Sequence, residues 1–109
     1  MANTFKLKTK ANVGVSTVGI YTAPASTTTV VIGITLSNTS GSGVNVGVGI
    51  TRAGTTEDVK LLKNAPIPSG SSLEFMAGNK IALETTDTVT VDSDTNNSVD
   101  AALTIMEIT

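Results

Sequence analysis

The stretch DSDTNNSVD, residues 92–100, is the part of this sequence that most looks like a metal loop. Asp92, Asp94 and Asn96 alternate as the first ligands of a calcium loop do. Such a loop also needs glycine at its sixth position for a sharp turn and a bidentate glutamate at its twelfth. Asn97 and Leu103 stand there instead. Asn-Asn-Ser is ordinary turn chemistry, so a structural turn is the expected reading, with Asp92, Asp94 and Asn96 the only metal candidates. The inventory for catalysis is poorer still. The chain has no histidine and no cysteine, which removes the commonest general base, the commonest transition-metal ligand and any thiolate. Serine and threonine abound, yet nothing is present to activate them, and no Ser-x-x-Lys pattern occurs. Glu57 and Asp58 adjoin in a turn, so their side chains diverge. Neither an enzyme nor a cofactor is expected. The sequons NTS and NNS, at 38–40 and 96–98, matter only on a secretory route; the lysine-bearing start, with no apolar stretch behind it, does not predict one.

The remaining polar candidates suggest contact rather than chemistry. Lys6, Lys8 and Lys10 form a basic stripe on one side of FKLKTK, either solvated, guarding an exposed edge, or docking on an acidic neighbour. Arg52, the sole arginine, stands near Glu57 and Asp58 and suits either a weak local ion pair or an interface anchor. Charge is divided unevenly. Residues 1–56 carry Lys6, Lys8, Lys10 and Arg52 and no acid, whereas 57–109 carry nine acids against Lys60, Lys63 and Lys80. Such sparse charge without an aromatic platform argues against nucleic acid, and no apolar run approaches the ~20 residues that span a bilayer.

The elements that must position these residues read as strands. In TTVVIGITLS, Val30, Ile32, Ile34 and Leu36 share one face; in VNVGVGI, Val44, Val46, Val48 and Ile50 do, with Asn45, Gly47 and Gly49 outward. NTSGSG between them predicts a hairpin. DVKLLK reads as a short strand ending before Pro66, and PIPSG as a connection. SLEFMA, KIALET and TVTVDS follow. In VDAALTIMEI, Val99, Ala101, Leu103 and Ile105 point inward; Ile108 falls out of phase, which predicts a bulge or a contact on the second face. FKLKTK sets Phe5 and Leu7 opposite the lysines, and VSTVGIYTA is strand-like but broken by Gly19. No segment has helical periodicity. Seven to nine short strands predict an all-β chain: a single antiparallel β-sandwich over 1–109, jelly-roll-like, with 1–12 as an N-terminal arm or edge strand.

At 109 residues with 19 threonines, two phenylalanines, one tyrosine and no tryptophan, the core must be built from Val, Ile, Leu and Ala, with Phe5 and Phe75 as expected core aromatics. Only 15% of residues are charged, against a usual quarter. The surface should therefore be covered in part by other copies or other proteins. Contact surfaces are expected at Phe5, Lys6, Lys8 and Lys10, at Arg52, Glu57 and Asp58, and at the 92–98 turn.

The whole chain resembles a family of small virion structural proteins of tailed phages, especially those infecting marine cyanobacteria. The resemblance lies in MANTFKLKTKANVG, YTAPASTTTVVIGITLSNTSGS, PIPSGSSLEFMAGNKIALETTDTVTV and the ending AALTIMEI. It covers nearly all of the chain through strand and turn residues, and implies no catalytic or metal residue. It implies a non-enzymatic virion component, made in the host cytoplasm, that self-associates as a trimer or larger ring. Its partners would be other virion proteins: the major capsid protein if it decorates or cements the capsid, tail proteins if it belongs to the tail, neck or baseplate. A host-surface or carbohydrate-binding module is the rival reading, disfavoured because sugar sites generally use exposed aromatics.

Overall fold

The computed structural model describes residues 3–54, 57–75 and 80–109, without the side chain of residue 75. Nine strands follow in order: β1 (Asn3–Val13), β2 (Val18–Thr22), β3 (Thr28–Asn38), β4 (Val44–Arg52), β5 (Glu57–Ile67), β6 (Ser72–Phe75), β7 (Ile81–Leu83), β8 (Asp87–Ser93) and β9 (Val99–Ile108). They form two antiparallel sheets. One is ordered β1-β9-β3-β6, with β7 also on β3; the other is ordered β2-β8-β4-β5. If β6 and β7 are counted as one interrupted strand, the chain passes between the sheets at every step except β4 to β5. That is jelly-roll connectivity.

Threonine and β-branched residues favour this architecture because they pack well on a pleated surface. The inner faces supply Ile34 and Leu36 from β3, Val44, Val46 and Val48 from β4, and Leu103 and Ile105 from β9, all buried. Gly47 and Gly49, expected outward, are also covered. Register shifts in the β4–β5 pair bring β5 backbone over them, and a Cβ on Gly49 would lie 2.8 Å from the Val59 carbonyl oxygen. Gly49 is glycine because the β5 backbone passes where a side chain would stand, and Gly47 because the Asp92 carboxylate lies 2.6 Å from where its Cβ would be.

Four expectations need correcting. First, β3 and β4 are not a hairpin; they lie in opposite sheets. Alternation assigns a face, not a neighbour. The crossover is held by buried Asn38, whose amide nitrogen donates to the carbonyls of Ser42 at 2.8 Å and Ile67 at 2.9 Å. Its side-chain oxygen accepts from the Ser40 amide at 2.9 Å. Second, β5 continues through Pro66 to Ile67 rather than stopping before it. An edge strand tolerates a proline whose missing N–H would face away from the ladder.

Third, of the two outcomes expected at Ile108 the bulge does not occur: β9 pairs with β1 there without a shift. The contact on the second face does occur, since Ile108 lies half-buried on the outer face, while Glu107 continues the inward phase and is itself buried. The irregularity falls in β3, between Val31 and Gly33, so Val30, expected on one face with Ile34 and Leu36, lies on the other, and Val31 is buried in its place. Fourth, β1 faces the opposite way from the expected one. Thr4, Lys6, Lys8 and Lys10 lie opposite Glu107, Ile105, Leu103 and Ala101, and directly opposed residues share a face. The lysines therefore lie on the inner side, while Phe5 and Leu7 face outward, 69% and 65% exposed. Phe5 is not a core residue. The expected core role of Phe75 concerns a side chain outside those described, as do Met76 and Ala77 of SLEFMA.

Candidate assembly surface

The reversal of β1 has an electrostatic cause. Glu107 points inward on β9 and is only 6% exposed, so its charge requires partners. Lys6 Nζ lies 2.8 Å from Glu107 Oε1, and the Tyr21 hydroxyl donates to Glu107 Oε2 at 2.6 Å. The same hydroxyl is 2.8 Å from Thr29 Oγ1, which is fully buried. Lys6 and Tyr21 hold the Glu107 carboxyl below the usual carboxylate range. Burial first, and then the Glu107 contact, push the Tyr21 phenol up to about 12. This network ties three strands of one sheet to β2 of the other. Its signal in the sequence is the inward phase of Glu107 in VDAALTIMEI.

Past this tie, β1 is an edge. Among the described residues it pairs only with β9, and its other side is open. Near Lys10 the strand is irregular: Asn12 takes φ 58 and its amide donates to Asp100 Oδ1 at 3.0 Å, so that Val13 turns back into the core. Two rows of the outer face cross the sheet here without a charge. Phe5, Met106, Val30 and Ala82 form one. Asn3, Ile108 and Thr28 form the next.

At the opposite edge of the sandwich a groove of about 400 Å³ opens between β5 and β7. Ile50, Val59, Ile81 and Leu83 line it, and Arg52, Glu84 and Asp87 border it. Arg52 Nε donates to Asp87 Oδ1 at 3.3 Å, and its Nη2 donates to Glu84. The expected partners of Arg52 were Glu57 and Asp58. Glu57 is its register neighbour on β5, and the guanidinium also reaches Glu84 of the β7–β8 turn and Asp87 at the start of β8. That turn is distant in sequence, and the spacing carries no sign of it.

The metal candidates are otherwise engaged. Asp92 Oδ2 accepts from Thr17 Oγ1 at 3.1 Å. Asp94 Oδ1 accepts from the Asn45 amide at 3.1 Å, and Asn96 Oδ1 from the Val15 amide at 3.4 Å. Asp92 and Asn96 both hold the β1–β2 connection and Asp94 holds β4, so the three pin the end of β8 and the β8–β9 turn to their neighbours. Among the described residues no group of three acidic side chains is placed to hold a metal ion.

No family model matches the sequence, and no curated protein does. Solved structures do match. A protein of Bacillus endospore appendages, described as a family of disulfide-linked pili, is similar at 17% identity and a TM-score of 0.57; the alignment covers 99% of this chain and 87% of that one. A chain of the T13 viral particle of IBDV is similar at 12% identity and a TM-score of 0.60, over 96% of this chain but 30% of that one. A protein of the virus-like particle of Macrobrachium rosenbergii extra small virus aligns over 98% of this chain at 13% identity, with a TM-score of 0.40. At these identities the first two share the fold, a two-sheet antiparallel sandwich, and the third adds no weight.

Proposed function

We propose that this chain is a non-enzymatic structural protein of a virus particle, that it self-associates, and that it decorates or cements the capsid of a tailed phage. The observation that carries the reading is β1: an open edge strand of eleven residues that presents Phe5 and Leu7 to solvent. A long edge with exposed apolar side chains is a template for pairing unless something covers it. Solved proteins that share the fold include one from a viral particle and one from pili, and the sequence resembles phage virion proteins. This chain has no cysteine, so disulfides cannot link its copies. Modest contacts repeated over symmetric positions would give the avidity that decoration requires. A trimer or larger ring suits such positions, and the virion is the expected location.

A carbohydrate-binding role has less support. Tyr21 is buried, and among the described aromatic side chains only Phe5 is exposed. Mass-spectrometric counting of copies per major capsid protein in purified virions tests the proposal. A ratio near one, or a simple fraction of it, places the chain on the capsid lattice. A few tens of copies per particle or fewer moves it to the tail, neck or baseplate. Absence from virions refutes the structural role.

A further inference from the structure

We propose that copies of this chain join head to tail, with β1 of one copy seated along the groove between β5 and β7 of the next. The inference rests on the self-association just proposed and specifies its geometry. In the order of the two sheets, β1 and β2 form one side of the sandwich, and β5, β6 and β7 the other. The two surfaces are thus on opposite sides of the molecule and complementary in kind. β1 offers Phe5 and Leu7, with Lys6, Lys8 and Lys10 and no acidic residue. The groove offers an apolar floor of Ile50, Val59, Ile81 and Leu83, bordered by Glu84 and Asp87 against Arg52 alone.

Strand direction and height agree with this pairing. β1 is antiparallel to β9, β9 to β3 and β3 to β7. A copy displaced sideways therefore brings its β1 antiparallel to β7. Phe5 and Ala82 occupy the same cross-strand row, so that displacement continues the apolar outer row from one molecule into the next. On the inner side the same displacement sets Thr4 level with Leu83 and Lys6 level with Ile81, so that the inner face of β1 covers the apolar floor while the Lys6 ammonium stays on Glu107 of its own copy. Pairing of β1 with β1 of a second copy is disfavoured, because it sets lysines opposite lysines. A head-to-tail contact closes into a ring or extends into a filament according to the rotation between copies.

Two variants test the arrangement by sedimentation velocity at rising protein concentration. L7E alters an exposed position on β1, and V59K places a cation in the groove at a partly exposed one. The expected result is loss of every species larger than a monomer for each variant alone. An equimolar mixture of the two should form a 1:1 dimer and nothing larger, because one intact β1 and one intact groove remain. Thermal melting of each monomer confirms that it is folded; should either not fold, F5E and A82K replace them at exposed positions on the same surfaces. A wild-type chain that stays monomeric throughout overturns self-association itself. Association that survives V59K, or a mixture that forms no dimer, overturns the head-to-tail contact while leaving self-association standing.

Discussion

Replacing Tyr21 with phenylalanine removes one buried oxygen from between β2 and the facing sheet and little else. The ring still fills its place between the sheets, so the cavity term is near zero. What is lost is a 2.6 Å hydrogen bond to the Glu107 carboxylate and a 2.8 Å contact with Thr29 Oγ1. A hydrogen bond to a charged group contributes about 1.5–3 kcal/mol, and its loss leaves a buried acceptor less satisfied. Tyr21→Phe should therefore cost about 2 kcal/mol, a large share of the roughly 5–15 kcal/mol that holds a domain of this size together. At about 4 °C per kcal/mol, melting should fall by about 8 °C. Urea denaturation followed by circular dichroism measures the loss, with the slope on denaturant unchanged. Glu107→Gln tests the partner. Because both groups belong to one network, the double variant should depart from additivity by about 1 kcal/mol. A single-variant loss below about 0.5 kcal/mol, or strict additivity, would refute the claim that this network ties β1, β9 and β3 to β2.

Tyr21 is the only tyrosine and there is no tryptophan, so phenolate absorbance reports on it alone. It should titrate near 12 in the folded protein against 10.0 ordinarily. Stability from this raised group is present below the ordinary value and lost as pH climbs through the folded one; a phenolate appearing at the ordinary pH in the folded state would contradict the burial. Glu107 is displaced the other way, by Lys6 first and then Tyr21, so its contribution is present above the unfolded carboxylate range near 4.3 and lost as pH falls through its lower folded value. Lys6→Met should flatten that acid limb in pH-dependent denaturation. Gly49→Ala sets a methyl 2.8 Å from the Val59 carbonyl oxygen and should cost about 1–3 kcal/mol, measured by urea midpoint. Asn38→Ala removes the donor to the Ser42 and Ile67 carbonyls and should cost about 3 kcal/mol; a melting temperature equal to wild type would show that the crossover does not depend on it.

Much of this molecule is legible in the order of its residues, because side chains alternate across a strand whatever surrounds it. The spacing of Val99, Ala101, Leu103 and Ile105 is enough to mark the inner face of β9, and that of Val44, Val46 and Val48 the inner face of β4. The scarcity of helical periodicity and the turn clusters fix an all-β class. Alternation carries no information about which strand lies alongside or which apolar set faces the core. TTVVIGITLS and VNVGVGI therefore read as a hairpin and stand in opposite sheets. FKLKTK has a clear two-sided pattern whose sense is reversed by a single partner distant in the chain, since buried Glu107 requires Lys6 beside it. Arg52 meets Glu84 and Asp87 for a similar reason: ion pairs form between groups that folding brings close. The sequence determines strand periodicity through local stereochemistry. Only the tertiary structure decides pairing, facing and the placing of an exposed Phe5 on one side and an apolar groove on the other, because these depend on contacts between residues far apart in the chain.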